Sequence, residues 1–74
     1  MIKQDIKPLF EWAKENGDAN IYDRILMKVM PYLLKENIKL TSEYIENTDI
    51  IEVPNDIYKI ILQKTEELIG FNYV

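Results

Sequence analysis

Cysteine and histidine are both absent from this 74-residue chain, which also has only two glycines and one tryptophan. Without cysteine the chain forms no disulfide, has no thiol nucleophile and gives no indication of an oxidising compartment. Without histidine it lacks the side chain that most often serves in acid-base catalysis near neutral pH. The two absences together remove the usual ligands of a zinc site. Stability must therefore come from the hydrophobic core.

Long apolar runs and glycine-rich loops are missing as well. No stretch approaches the roughly 18 apolar residues of a membrane span, and residues 1–5 lack the apolar core of a signal peptide, so we expect a cytoplasmic protein without a membrane partner. Gly17 and Gly70 are isolated, so no phosphate-binding loop can be drawn. Ser42, the only serine, has no neighbour at the spacing of a catalytic dyad. We predict no enzymatic activity, no catalytic residue, no metal site and no cofactor.

Apolar residues are plentiful, at 47% of the chain. Their burial, at roughly 25 cal/mol per Å², can offset the conformational entropy of ordering so small a domain by a narrow margin. We therefore expect one compact domain over residues 1–74 rather than a disordered segment. The high content of Ile, Lys and Asn, with eight Lys to one Arg, is typical of AT-rich coding and suggests a bacterial or phage origin.

The hydrophobic periodicity predicts an all-α fold, a small bundle of three main helices plus one short helix. The first helix should begin near Asp5, a good N-cap, and end at Asn16 before Gly17 in a left-handed conformation. Pro8 then falls in the first turn, where its missing N–H removes no helical bond. Trp12 lies at the edge of the apolar face and is interpreted as a rim residue of the core. The face itself consists of Ile2, Ile6, Leu9, Phe10 and Ala13.

The second helix should start at Asp18 or Asn20, end near Asn37 and occupy the centre of the bundle, because apolar residues cover most of its circumference. Pro31 removes a helical hydrogen bond and is expected to kink or break this helix near Met30. Apart from Pro31, the one polar strip of the helix contains only basic side chains. We call these residues the basic strip: Arg24, Lys28 and Lys35.

The last helix is predicted to run from Pro54 or Asn55 to Ile69, with Gly70 as its stop and Phe71 folded back on the helix end. Its inward face consists of Ile57, Tyr58, Ile61, Leu62, Thr65, Leu68 and Ile69.

Residues 38–53 are the part of the chain with the least definite assignment. Thr41 or Ser42 can cap a short helix that runs through Asn47. The run from Asp49 to Val53 favours an extended conformation. We predict the short helix followed by an extended connection. The alternative is a small β-hairpin that pairs Ile38 to Thr41 with Ile50 to Val53.

The net charge of −4 is concentrated in one segment. Residues 1–40 sum to +1 and residues 57–74 to 0, whereas residues 41–56 carry five acidic side chains and no basic one. An EF-hand site is disfavoured here, because its loop needs ligands at alternate positions and a central glycine. Clustered charge determines which partners are attracted and how fast they arrive. We name residues 43–56 the acidic segment; its predicted partner-binding residues are Glu43, Glu46, Asp49, Glu52 and Asp56.

The basic strip has two interpretations. It is either an ordinary solvent-facing surface or a second contact surface complementary to the acidic segment. In the second case the two surfaces pair within one molecule or across a dimer. Our leading hypothesis is a small non-enzymatic protein-interaction or regulatory module whose acidic segment docks on the basic surface of a protein partner. Self-association through the two surfaces is a further hypothesis.

From Leu40 onward the order of residue types resembles the helix-turn-helix unit of bacterial regulators. The residues that carry the likeness are Leu40 to Ile45 as the first helix and Asn55 to Leu62 as the second, with Leu68 to Phe71 as its exit. The resemblance implies a DNA-binding transcriptional regulator, in which Asn55 or Gln63 reads adenine and Lys59 and Lys64 contact phosphates. Nucleic acid stays the second choice, because the neighbouring carboxylates repel the DNA backbone.

Overall fold

The computed structural model describes residues 2–73 of the chain. Over that range the elements follow the order β1 (Lys3–Asp5), α1 (Lys7–Asn16), α2 (Ile21–Lys35), α3 (Ser42–Asn47), β2 (Glu52–Pro54) and α4 (Asn55–Ile69). The predicted bundle of three long helices and one short helix is confirmed. As expected, α2 is the central element, since it packs against α1, α3 and α4.

The small sheet joins different partners from those of the alternative hairpin. β2 pairs antiparallel with β1, and Gln4 lies opposite Val53. Residues 38–41 form no strand. The pairing continues past the strand, because the N–H of Ile6 donates to the carbonyl oxygen of Ile51 at 2.8 Å. Ile6, Ile51 and Val53 are all buried, so the N-terminal pairing brings the extended segment into the core.

α1 ends at Asn16 as predicted, but its start and the conformation of Gly17 differ from the prediction. Asp5 accepts a hydrogen bond from the N–H of Lys7 at 3.0 Å, but it belongs to β1, and the N-cap position is Ile6. Gly17 has a φ of −112°, which is extended backbone, so the left-handed conformation predicted for it is wrong. Close packing explains the glycine instead, since a Cβ there would lie 2.8 Å from Cγ1 of Ile21.

The predicted ends of α3 and α4 are confirmed. The Oγ1 atom of Thr41 accepts a hydrogen bond from the N–H of Tyr44 at 3.0 Å and caps α3. Gly70 ends α4 in the left-handed conformation, with a φ of 101°. Phe71 folds back onto α1 rather than onto α4 alone, because its ring centroid lies 5.6 Å from that of Trp12. Trp12 is half-buried at the rim of the core, as predicted.

Fifteen apolar side chains of the described residues are buried in one cluster between the helices and the sheet. The predicted inward face of α1 is buried except for Ile2, which lies ahead of β1 and is 72% exposed. The inward face of α4 is buried at Ile57, Ile61 and Thr65 and half-buried at its remaining positions. The hydroxyl of Thr65, a buried polar side chain in this core, donates to the carbonyl oxygen of Ile61 at 2.6 Å and so has a hydrogen-bond partner.

The second helix is continuous from Ile21 to Lys35, so the break predicted near Met30 does not occur. Pro31 and Met27 both lie on the exposed side of α2. The carbonyl that loses its helical partner to Pro31 is therefore open to hydration, which lowers the cost of a proline inside the helix. Several apolar side chains of α2 are also exposed on this side, although the helix occupies the centre of the bundle as predicted.

Candidate functional site

The five carboxylates of the acidic segment are distributed over three elements and one loop. Glu43 and Glu46 lie on α3, Asp49 in the loop after it, Glu52 on β2 and Asp56 in the first turn of α4. All five residues are exposed. The structure therefore places the predicted partner-binding residues at the surface along one stretch of chain that passes from α3 to the start of α4.

Two lysines of α1 hold α3 in place. The ammonium group of Lys14 donates to both carboxylate oxygens of Glu46, at 3.0 and 3.1 Å. Lys7 donates to the carbonyl oxygen of Ile45, near the C-terminal end of α3, where a cation is favoured by the helix dipole. At the other end of α3, the hydroxyl of Ser42 donates to the carboxylate of Asp23 on α2. The start of the acidic segment is thus attached to both α1 and α2.

Within residues 2–73, Glu46 is the one carboxylate of the acidic segment that forms an ion pair. Its hydrogen bond and its negative charge raise the pKa of Lys14 above the ordinary value of 10.5. Among residues 2–73, no ion pair involves Glu43, Asp49 or Glu52. Asp56 is exposed and accepts a hydrogen bond from the N–H of Ile57 at 3.0 Å in the first turn of α4.

Two exposed apolar side chains interrupt the acidic segment, a feature that the charge pattern did not predict. Ile50 is 68% exposed between Asp49 and Glu52, and the side chain of Tyr44 is 49% exposed beside Glu43. Ile51, the next residue, is buried, so the chain alternates between solvent and core here. The acidic segment therefore offers apolar contact area together with charge.

The basic strip does not pair with the acidic segment in the described residues. Arg24 instead forms an ion pair with Asp18, with 2.6 Å between Nη1 and Oδ2. Lys28 and Lys35 are exposed and form no ion pair within residues 2–73. The pairing within one molecule that we considered from the sequence is thus not present in this structure.

An exposed apolar strip adjoins the basic strip on α2, and sequence reasoning missed it. Met27 is 77% exposed and Leu34 66% exposed, with Met30 at 41% on the same side. We call these three residues the methionine strip. Their spacing of three and then four residues places them on one side of the helix, next to the basic strip. That spacing was visible in the sequence, but a helical wheel does not show which side of α2 the neighbouring elements cover.

A cleft of about 430 Å³ lies between this side of α2 and the C-terminal half of α4. Met27 and Leu68 supply its apolar lining, and Arg24 and Lys28 supply its basic lining. We call it the α2 groove. Its combination of apolar and cationic side chains suits an apolar group with a neighbouring negative charge.

A second cleft, of about 390 Å³, lies where the connection between α1 and α2 meets α3. It is lined by Tyr22, Ser42 and the paired residues Lys14 and Glu46, among others. Burial raises the pKa of Tyr22 above 10.0, so its hydroxyl stays protonated near neutral pH. No group of three or more acidic side chains capable of holding a metal ion occurs in the described part of the chain. The hydrogen bonds and ion pair of this cleft attach α3 to α1 and α2.

The elements that resemble a helix-turn-helix unit have a different connection from that motif. Seven residues, 48–54, separate α3 from α4, and they include β2. The usual turn has only three or four residues. Asp56, in the first turn of α4, adds negative charge where a recognition helix approaches DNA. Retention of the protein on random duplex DNA at low salt is the test of this hypothesis, which stays a prediction.

No helix within residues 2–73 has both the length and the apolar character required to cross a bilayer. No protein-family model, curated protein or solved structure matches the chain. The candidate contact surfaces of the protein are therefore the acidic segment and the side of α2 that carries the basic and methionine strips.

Proposed function

We propose that this protein is a small non-enzymatic interaction module whose acidic segment docks on a basic surface of a protein partner. The observation that carries the proposal is the exposure of Ile50 between Asp49 and Glu52, on a segment that follows the firmly attached α3. Carboxylates around an exposed apolar side chain combine the two features of a docking surface, long-range attraction and desolvated contact.

The charges and the apolar side chains contribute differently to such a contact. Exposed ion pairs at the rim are each worth only about 0 to 1 kcal/mol, so they mainly accelerate and orient the encounter. Covering an exposed Ile or Tyr with apolar partner surface contributes about 25 cal/mol per Å² removed from water. We therefore expect Ile50 and Tyr44 to determine how long the complex lasts, and the carboxylates to determine how fast it forms.

The experiment is a pull-down from a lysate of the source cells with matched charge variants as bait. The test variant carries Glu43→Lys, Asp49→Lys and Glu52→Lys. Glu46 is left unchanged because its reversal would disturb the contact with Lys14. The control variant makes the same change in net charge at exposed acidic residues outside the segment, namely Glu11→Lys, Glu15→Lys and Glu36→Lys.

We expect the test variant to lose the captured protein and the control variant to retain it. Far-ultraviolet circular dichroism should show that both variants keep the helical fold, because all six positions are at the surface. Capture by the wild type should weaken as salt is raised from 50 to 500 mM, because screening shortens the range of the attraction. Equal capture by both variants would show that the acidic segment does not bind the partner.

A further inference from the structure

We propose that the α2 groove and the acidic segment bind each other between two copies of this chain. The inference depends on the proposed function, because it names a second copy as the partner of the acidic segment. It also assigns a role to the side of α2 that the proposed function leaves unused.

The α2 groove has the chemistry that the acidic segment requires. Its apolar lining comes from Met27 and Leu68, and its charged lining from Arg24 and Lys28. The methionine strip continues this apolar surface along α2. An apolar side chain that enters the groove therefore brings its flanking residues close to two cations. The best occupant has an exposed apolar side chain with carboxylates on either side.

The acidic segment supplies that occupant at Ile50. Its side chain is exposed, and Asp49 and Glu52 flank it without an ion pair within residues 2–73. Placing Ile50 against Met27 and Leu68 would bring both carboxylates toward the basic lining. The match involves both apolar area and charge sign, which makes it more specific than either feature alone.

A second copy of this chain carries an occupant of this kind. Within one molecule the two surfaces do not pair, because Arg24 contacts Asp18 and the acidic segment forms its one ion pair with Lys14 in the described residues. Every copy carries both complementary surfaces, with a charge of −5 on residues 41–56 and three cations on the basic strip.

The groove of one copy receives the segment of another. If the exchange is reciprocal, the result is an isologous dimer with two equivalent contacts; if it is not, the contact is heterologous and closes into a ring or continues as an open chain. The single contact is small, so we expect association with a dissociation constant on the order of 0.1 mM. The weight-average mass should therefore rise with protein concentration and fall with salt.

The test is sedimentation equilibrium of the whole protein at about 1 mM and low salt, with two reversal variants. One variant carries Asp49→Lys and Glu52→Lys, and the other carries Lys28→Glu and Lys35→Glu. Each alone should stay monomeric because like charges then face each other. Their equimolar mixture should associate again, because each reversed surface meets its reversed counterpart. A control variant with Lys39→Glu, which is exposed and lies outside both the groove and the acidic segment, should associate like the wild type.

The results separate this inference from the proposed function. A monomeric wild type overturns the inference, even if the protein binds anionic vesicles in a parallel assay. Association that survives Asp49→Lys and Glu52→Lys also overturns it, since another surface must then be responsible. A mixture of the two reversal variants that stays monomeric overturns it as well. If the wild type is monomeric but still captures a protein through the acidic segment, the proposed function stands and only the second copy is excluded.

Discussion

The carboxylate of Asp5 joins both strands, at one end of the sheet, to the first helix, and its removal should destabilise the whole domain. Its Oδ1 atom accepts hydrogen bonds from the N–H of Lys7 at 3.0 Å and from the N–H of Ile51 at 2.9 Å. The first donor lies at the start of α1 and the second just before β2. Asp5→Ala leaves both half-buried donors without this acceptor, and thereby loosens the segment that carries Ile50.

The size of the effect follows from those two hydrogen bonds. Bonds to a charged acceptor contribute about 1.5 to 3 kcal/mol each when buried, and these are only partly buried, so we take about 1 to 1.5 kcal/mol for each. The total loss is then about 2 to 3 kcal/mol. A domain of this size has a free energy of unfolding of about 4 to 11 kcal/mol. The melting temperature should fall by roughly 8 to 24 °C.

Thermal unfolding followed by circular dichroism measures this change, with Asp5→Asn as the matched control. The amide oxygen of asparagine can still accept both hydrogen bonds, but without the charge, so we expect a loss of about 1 kcal/mol or less. Hydrogen exchange at the Lys7 and Ile51 amides should accelerate in the alanine variant beyond the change in global stability. An alanine variant within 0.5 kcal/mol of the wild type, or one equal to the asparagine variant, would refute the bridging role.

Three further predictions concern packing and pH. Gly17→Ala should destabilise the protein by about 1 to 3 kcal/mol in urea unfolding, because its Cβ would overlap Ile21 Cγ1; unchanged stability would contradict the close contact. Thr65→Val should change stability by less than about 1 kcal/mol, because the carbonyl that its hydroxyl contacts keeps its helical partner; a larger loss would give that hydrogen bond greater weight. Burial raises the pKa values of Tyr22 and Tyr58 in the folded protein. The two tyrosines therefore contribute to the free energy of unfolding below pH 10, and this contribution is lost as the pH rises through their folded pKa values. Tyr22→Phe should reduce the fall in melting temperature above pH 10. An unchanged pH profile of the melting temperature would contradict this.

The helices could be predicted from the sequence because their signals are local. The cap by Thr41, the stop at Gly70 and the extent of α4 each depend on residues a few positions apart, and each prediction is confirmed. The pairing of β1 with β2 joins residues about fifty positions apart, and no local pattern identifies the partner of an extended segment. Gly17 was misassigned for a similar reason, since the close approach of Ile21 becomes visible only in three dimensions.

The charged surfaces were also predictable, because exposure of charged side chains is the rule. The methionine strip was not, because a helical wheel shows which residues share a side but not how much of the circumference the neighbours cover. With α1, α3 and α4 packed around it, α2 still leaves Met27 and Leu34 in solvent. The sequence could show that the methionine strip lies beside the basic strip, but it could not show that the methionine strip is exposed.

The energetics of the monomer bear on the contact proposed for the α2 groove. Met27 and Leu34 keep most of their surface in water, so they contribute little to the free energy of unfolding of a single copy. If an apolar partner surface covered them, each would contribute on the order of 1 to 2 kcal/mol of contact energy. The neighbouring cations could not supply this alone, because exposed ion pairs are weak and screened by salt. We therefore expect the apolar side chains to set the strength of any complex on this side of α2, and the basic strip to favour an acidic occupant.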